Sequence, residues 1–215
     1  MAVPDWISKV DLFLFINLGF RKDRRKEIET VLLQDLQVPA QKVRRIEAIR
    51  ETPGFRGCTQ SHLMALQAAI DANAECAAIF EDDYLPIVKP DEFHRRVSAA
   101  LKHLDGKFDV VFLGMTPIDL QRTPVEGFYR VRAALAMPAL IVHKRYFKRL
   151  KEIYQQALRD NKPHDLITQL YQPGDLWYGF FKPLGRQRPG FSDIENRRTD
   201  YAYLEVDGRM IRTPI

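Results

Sequence analysis

Cysteine is scarce in this chain. Cys58 and Cys76 are the two in 215 residues, far apart and without metal-type spacing. That argues against a disulfide scaffold or a zinc site, and it suits a reducing compartment. Long hydrophobic runs are missing too. Leu12 to Leu18 is far shorter than the roughly 20 residues a membrane helix needs. Asp5 and Lys9 interrupt the N-terminal segment, and no small-residue cleavage site follows the apolar run, so no secretory pattern is present. We find no internal repeat, low-complexity tract or linker. The net charge of +5 is mild: it favours anionic partners without implying nucleic acid. The arginines are scattered and no nucleic-acid recognition motif accompanies them. The expectation is a soluble cytoplasmic protein with one domain over residues 1–215 and no transmembrane segment.

What is present is enough apolar residue to build a core: 46% of the chain is hydrophobic and 28% charged. Leu12–Leu18 does not alternate, the pattern of a strand buried on both faces. A helix follows, striped by Ile28, Val31, Leu32 and Leu36 and ended by Pro39. A short strand is expected near Val43–Ile49, and a loop at Thr52–Gly57. A second helix is expected from about Thr59 to Ala72, with Thr59 as its N-cap and Leu63, Leu66 and Ile70 inward. Cys76–Phe80 reads as a buried strand and Pro90–Leu104 as a helix. Val110–Leu113 reads as a strand closed by Gly114, and Ala139–Val142 as another. That last strand leads into a helix striped by Phe147, Leu150, Tyr154 and Leu158. Strands alternating with helices imply an α/β fold with a mostly parallel sheet flanked by helices. The last third, rich in Pro, Gly and aromatics, is irregular and is expected to cover the ligand edge of the sheet.

Three constellations carry chemistry. The first is the buried strand that runs into Glu81, Asp82 and Asp83. Adjacent carboxylates repel and raise one another's pKa, so three at a strand end point to a cation. Oxygen-only ligands suit Mg²⁺ or Mn²⁺ better than zinc. Open α/β sheets bind ligands at the carboxyl ends of their strands. The alternative is an acidic turn that only solvates the strand end. The second is Asn17-Leu18 followed by Arg21, Arg24 and Arg25. A strand-end asparagine can hydrogen-bond a base or sugar, and arginines at a helix start can hold phosphate. The third is Gly54-Phe-Arg-Gly57-Cys58-Thr-Gln-Ser61-His62. Its glycines let backbone approach a ligand, and Ser61 and His62 would sit in a helix's first turn. A plain glycine loop with a structural histidine is the competing reading.

Taken in order, Asn17-Leu18 with Arg21, Asp23, Arg24 and Arg25, then Gly57-Cys58-x-x-Ser61-His62, then Glu81-Asp82-Asp83 resemble the motifs of glycosyltransferase family 25. That family includes lipopolysaccharide, lipooligosaccharide and collagen galactosyltransferases. His164-Asp165-Leu166 is similar to a later proline-valine-aspartate segment, and Pro183, Gln187, Ser192 and Asp193 to a late proline, glutamine and serine-aspartate segment. The resemblance spans about Phe13 to Asp193. Three positions depart from it. Ala134–Ala139 lacks hydroxyl or histidine residues, His164 stands where Pro-Val is usual, and Gln187 stands where a histidine could ligate metal.

The resemblance implies a GT-A (Rossmann-like) fold, a UDP-sugar donor such as UDP-galactose, and a divalent cation, Mn²⁺ or Mg²⁺. It also implies inversion at the anomeric carbon, a glycan or other hydroxyl acceptor, and a place in lipopolysaccharide synthesis. It assigns Asp83, with Asp82, to the metal. Glu81 and Asp82 go to sugar or ribose, and Asn17, Leu18, Arg21, Arg24, Ser61, His62, Gln187 and Ser192 to the donor. Inversion needs one carboxylate base for the acceptor hydroxyl. Asp165, at a helix start after a Pro-containing turn, is the candidate; an ordinary helix N-terminal acid is the alternative. Asp193 is the rival base, or a second metal or donor ligand. Trp177, Tyr178, Phe180 and Phe181 form a cluster in which Phe180 and Phe181 read as core, and Trp177 is open between core and sugar platform. Two other functions compete: a metal-dependent nuclease or phosphohydrolase on Asp82 and Asp83, and a nucleotide-sugar-binding module without turnover.

Overall fold

The computed structural model describes residues 4–200 and, as a strand alone, 211–212; the rest of the expected domain lies outside the described residues. The chain begins with α1 (Asp5–Ser8), β1 (Leu12–Asn17), α2 (Lys22–Thr30), β2 (Val43–Glu47) and α3 (Gly54–Asp71). Then come β3 (Cys76–Glu81), β4 (Tyr84–Pro86), α4 (Pro90–Leu104), β5 (Val110–Arg122), β6 (Phe128–His143) and α5 (Lys144–Arg159). The remainder comprises α6 (His164–Thr168), β7 (Trp177–Phe180), β8 (Gly185–Gln187), β9 (Gly190–Ser192), β10 (Arg197–Thr199) and β11 (Ile211–Arg212).

One sheet organises the molecule. β1 lies between β2 and β3, parallel to both. β6 runs antiparallel to β3 and forms a long bulged antiparallel pair with β5. β7 joins the start of β5 in parallel and meets β6 antiparallel, and β11 extends the edge parallel to β5. The small antiparallel pairs β4–β8 and β9–β10 lie outside this sheet. This is the expected mixed α/β architecture: a central sheet flanked by helices, with an irregular C-terminal third of short strands.

The unbroken apolar runs have a simple cause. Successive side chains of a strand point to opposite faces. Phe13 and Phe15 pack with Ile28, Leu32, Phe93 and Val97 on the side of α1, α2 and α4. Leu14 and Ile16 pack with Ala65, Leu66, Phe147 and Leu150 on the side of α3 and α5. Ala78 and Phe80 against Ala77 and Ile79 repeat the division in β3. Both faces are covered, so no polar alternation was available to the sequence. Each Phe or Leu so buried contributes about 1.5–3 kcal/mol.

Several local expectations are corrected. α3 starts at Gly54 with Pro53 as N-cap, so Thr59 is not the cap. Thr59 is fully buried inside the helix, and its hydroxyl donates to the Phe55 carbonyl at 2.8 Å. Ser61 and His62 are therefore beyond the first turn. The face of α3 that is buried carries Ser61, His62, Ala65, Leu66, Ala68 and Ala69, while Leu63 and Ile70 are half-buried. Gly114 does not close its strand; β5 continues to Arg122, and β6 begins well before Ala139. A Cβ at Gly114 would stand 2.6 Å from the Gly185 carbonyl oxygen, so this glycine admits the close passage of β8. Leu158 is half-buried, with Ile153 and Ala157 completing the inward stripe of α5 instead. Trp177 is core, and its indole N–H donates to the Tyr146 hydroxyl at 3.2 Å; Phe180 is core too, whereas Phe181 is half-buried.

Candidate functional site

β1 and β3 end side by side, with Ile16 paired to Glu81. Asn17 is thereby carried to the acids that follow β3, and its side-chain N–H donates to Asp82 Oδ2 at 2.7 Å. The same amide donates to the Arg21 carbonyl at 3.0 Å, and its oxygen accepts from Arg45 Nε at 3.0 Å. Asn17 is 1% exposed, so this residue ties β1, β2, the start of α2 and the acidic turn together from within. A cleft opens at these strand ends. Leu18, Arg24, Ser61, His62, Glu81, Asp82 and Asp83 line it, and Gln187, Ser192, Asp193 and Ile194 close its other side.

The three acids point in different directions. Glu81 turns toward α3 and β8: its Oε1 lies 3.3 Å from His62 Nε2, and its Oε2 accepts from Gln187 Nε2 at 3.1 Å. Asp82 accepts from Asn17 on one oxygen and from Arg24 Nη1 on the other at 3.2 Å. Asp83 Oδ2 faces the same Arg24 nitrogen at 3.3 Å, while Asp83 Oδ1 is buried without a hydrogen-bond partner among the described residues. Burial and then the nearby Glu81 charge push the Asp83 carboxyl up to about 8. Burial also raises Asp82, with Asn17 and Arg24 pulling the other way. An orphaned, buried carboxylate oxygen on a residue that lines the cleft fits a hard cation such as Mn²⁺ or Mg²⁺, and Asp83 is the acid with such an oxygen to offer it.

Asp165 lies elsewhere. It is the second residue of α6 and lines a second cavity with Phe55, Leu135, Ala136, Met137 and Leu166. The two cavities adjoin: Gly54, Cys58, Glu81, Gln187 and Ile194 border both. Asp165 Oδ2 accepts from the Ala136 amide at 3.3 Å, and Oδ1 from the Leu166 amide at 2.9 Å. Ala136 has a φ of 54°, an unusual left-handed backbone for a residue with a Cβ, and it lies where β6 is held by Gln172. The buried Gln172 amide accepts from the Ala134 N–H at 2.7 Å and donates to its carbonyl at 3.1 Å. Burial raises the Asp165 pKa above its ordinary value, with the Ala136 and Leu166 amides pulling the other way.

The remaining expected residues take specific places. Arg21 is ion-paired to Asp193 and to Asp23 at 2.8 Å, which brings the β9–β10 segment against the start of α2. Arg24 Nη2 also donates to the Phe191 carbonyl at 2.7 Å. Ser61 donates to the Gly57 carbonyl at 2.7 Å and accepts from the Ile49 amide at 2.8 Å, so its hydroxyl shapes the cleft wall. Ser192 accepts from the Glu195 amide at 3.1 Å. The glycines of the motif approach this chain's own backbone: a Cβ on Gly57 would stand 2.4 Å from the Ile49 carbonyl oxygen, and one on Gly54 would stand 2.6 Å from Ile194 Cα. Sequence reasoning gave no role to Arg45, which orients Asn17, or to Gln172. It also gave none to Cys58, whose thiol burial raises above its usual pKa. The Cys58–His62 spacing, one helical turn, was the signal for the last.

No sequence-family profile matches the chain, and no curated protein matches it. Solved structures do. A glycosyltransferase involved in the glycosylation of the major capsid of PBCV-1 superposes with a TM-score of 0.53 at 13% identity, over 86% of this chain and 96% of that one. A197 from STIV superposes with a TM-score of 0.53 at 11% identity, over 87% of this chain and 91% of that one. At such identities the likeness is one of fold: a GT-A-like α/β architecture. Among the described residues, no helix is long and apolar enough to cross a membrane.

Proposed function

We propose that this protein is a glycosyltransferase resembling family 25, moving a hexose from a UDP-sugar to a hydroxyl acceptor with inversion. The observation that carries the reading is the pair of adjoining cavities. One holds Arg24 and the Glu81–Asp83 acids at the sheet's carboxyl edge; the other holds Asp165; Glu81 and Gln187 stand between them. A two-substrate transfer needs such an arrangement, a charged pocket for the donor beside a drier one that presents a base to the acceptor.

In this reading Asp83, assisted by Asp82, would hold Mn²⁺ or Mg²⁺, which would neutralise charge developing on the leaving diphosphate. Arg24 would turn from the acids toward the phosphates. Glu81 and Gln187 would orient the sugar, and the Asn17 network would keep Asp82 in place. Asp165, with its raised pKa, would take the acceptor's hydroxyl proton on the face opposite the leaving group. Asp193, already paired with Arg21 at the donor cleft, fits a part in closing that cleft better than the part of base. Galactose is the family's common donor sugar and the first to try.

Calorimetry with a panel of nucleoside diphosphates and nucleotide sugars, with Mn²⁺ and with chelator, tests the reading. Mn²⁺-dependent binding of a UDP species is expected. Failure of every nucleotide to bind under both conditions would overturn it and turn attention to phosphodiester substrates.

A further inference from the structure

Beneath the wall between the two cavities, Cys58, His62 and His164 come together. One ligand-type atom from each lies within 4.8 Å of the others. Cys58 and His62 are one turn apart on α3, so their side chains share a face. His164 arrives from the first position of α6. The two imidazoles lie tilted at 44° with centroids 4.8 Å apart, and Glu81 Oε1 lies 3.8 Å from Cys58 Sγ and 3.3 Å from His62 Nε2.

The hydrogen bonds define which nitrogens are free. The Thr59 hydroxyl spends its proton on the Phe55 carbonyl, so at 3.1 Å it accepts from His164 Nδ1–H. That leaves the lone pair of His164 on Nε2. His62 Nε2 faces the Glu81 carboxylate and so carries the proton, while His62 Nδ1 is buried with no partner among the described residues. His62 is 1% exposed. An orphaned imidazole nitrogen at that depth is costly unless something binds it.

We propose that Cys58, His62 and His164 form a Zn²⁺ site, distinct from the Asp83 cation site, through Cys58 Sγ, His62 Nδ1 and His164 Nε2, with solvent as the fourth ligand and Glu81 bracing His62 from its Nε2–H side. Thiolate and imidazole nitrogen are the ligands Zn²⁺ prefers, whereas Mn²⁺ and Mg²⁺ prefer carboxylates and water. Zn–S and Zn–N bonds of about 2.3 and 2.0–2.1 Å place tetrahedral ligand atoms about 3.3–3.6 Å apart, so the side chains need to draw in by about 1 Å. Binding forms the S–Zn bond as the Cys58 S–H bond breaks, and the proton leaves to buffer. Thr59 holds His164 in the ligating tautomer, as outer-shell partners of metal-bound histidines do. The metal clips α3 to α6 immediately before Asp165.

Cobalt(II) is the spectroscopic probe. The full chain, stripped with chelator and kept reduced, is titrated with Co²⁺ alone. The expected result is one equivalent that gives a near-ultraviolet thiolate charge-transfer band and strong four-coordinate visible bands, both bleached by Zn²⁺. Cys58→Ser should abolish the charge-transfer band, while Cys76→Ser and Asp83→Asn should keep it. Thr59→Val should weaken Co²⁺ binding about 10–100-fold. Absence of any thiolate band in the wild-type chain overturns the proposal. So do visible bands that survive Cys58→Ser but vanish in Asp83→Asn. Metal-free circular dichroism melts show whether each variant folds; if Cys58→Ser does not, His164→Gln is read in its place. Nucleotide binding is measured separately, so this site and the glycosyltransferase reading can fail independently.

Discussion

Arg24 Nη1 lies 3.3 Å from Asp83 Oδ2, and the other oxygen of that carboxylate, buried, has no hydrogen-bond partner among the described residues. Burial, and then the Glu81 charge, outweigh the one guanidinium shared between Asp82 and Asp83, which is why the Asp83 carboxyl is pushed up to about 8. A divalent cation must displace that proton. Mn²⁺ affinity is therefore expected to rise by up to about tenfold per pH unit between pH 6 and 8 and to level off above, because a ligating carboxylate must be deprotonated. Asp83→Asn should weaken Mn²⁺ at least about tenfold and flatten the profile. Electron paramagnetic resonance of free Mn²⁺ against pH reads both.

The same carboxyl makes a stability prediction of defined sign. Its folded pKa is raised above the ordinary 3.8, so the native state binds the proton more tightly than the unfolded chain. The associated stability is present below about pH 4 and is lost as pH rises through about 8. Without metal, Asp83→Asn should be more stable than the wild type at pH 8 by about 1–3 kcal/mol, and nearly equal at pH 4. Urea unfolding at the two pH values is the measurement; equal differences at both would contradict the buried-carboxylate account.

Asp165 and Asp193 separate by place. Asp165 sits in the apolar cavity, held by the Ala136 and Leu166 amides, whereas Asp193 is salt-bridged to Arg21 at the charged cleft. Asp165→Asn should leave UDP-sugar binding within about twofold and lower transfer by at least 10²-fold, the lower range of base catalysis. Asp193→Asn should instead weaken donor binding by loosening Arg21, with transfer at saturating donor largely kept. The reverse pattern would move the base to Asp193. Initial rates over a donor series with both variants decide it.

Gly57 offers a test of the cleft wall that involves no charge. It is buried in the first turns of α3, and a Cβ there would collide with the Ile49 carbonyl. Gly57→Ala should destabilise by about 1–3 kcal/mol despite alanine's better helix propensity, as overpacking does. It should also weaken nucleotide binding, because Ile49 and Arg50 line the cleft. A melt unchanged or raised would show that the loop yields freely.

How much of this was legible in the sequence follows from what each element depends on. The strands β1 and β3 were plain because apolar side chains on two faces leave an unbroken run, and the helices after β1 and β6 were plain from their stripes. Thr59 misled because its residue type favours helix caps, while Pro53, which fixes its own φ, opens α3 a turn and a half earlier. The extent of β5 and β6 was hidden because residues 115–137 pair mainly with each other across bulges and carry mixed polarity. Glu81, Asp82 and Asp83 were visible as a motif, but not their divergence, which is set by Asn17, Arg24, His62 and Gln187 arriving from four separate segments. The meeting of His164 with Cys58 and His62 is long-range, and no local pattern encodes it.

Asn17 gives the sharpest test of how the site is built. Its amide satisfies Asp82, the Arg21 carbonyl and Arg45 at once, in a position 1% exposed. Asn17→Ala leaves Asp82 short of one partner and Arg45 Nε short of its acceptor, and a buried polar group stripped of its bond costs about 1–3 kcal/mol. For a chain of this size that is a fall of about 2–10 °C in melting temperature. Asn17→Asp keeps the shape but sets a carboxylate against Asp82, 2.7 Å from the atom it replaces. Repulsion then raises the pKa of the pair, so its folded-state pKa exceeds the unfolded one. This variant should lose stability as pH rises from about 4 to 8, whereas Asn17→Ala should be destabilised more evenly across that range. Thermal melts across that pH range distinguish the two. Parallel slopes would mean that Asn17 fills space at the strand end and that Asp82 is positioned by Arg24 alone.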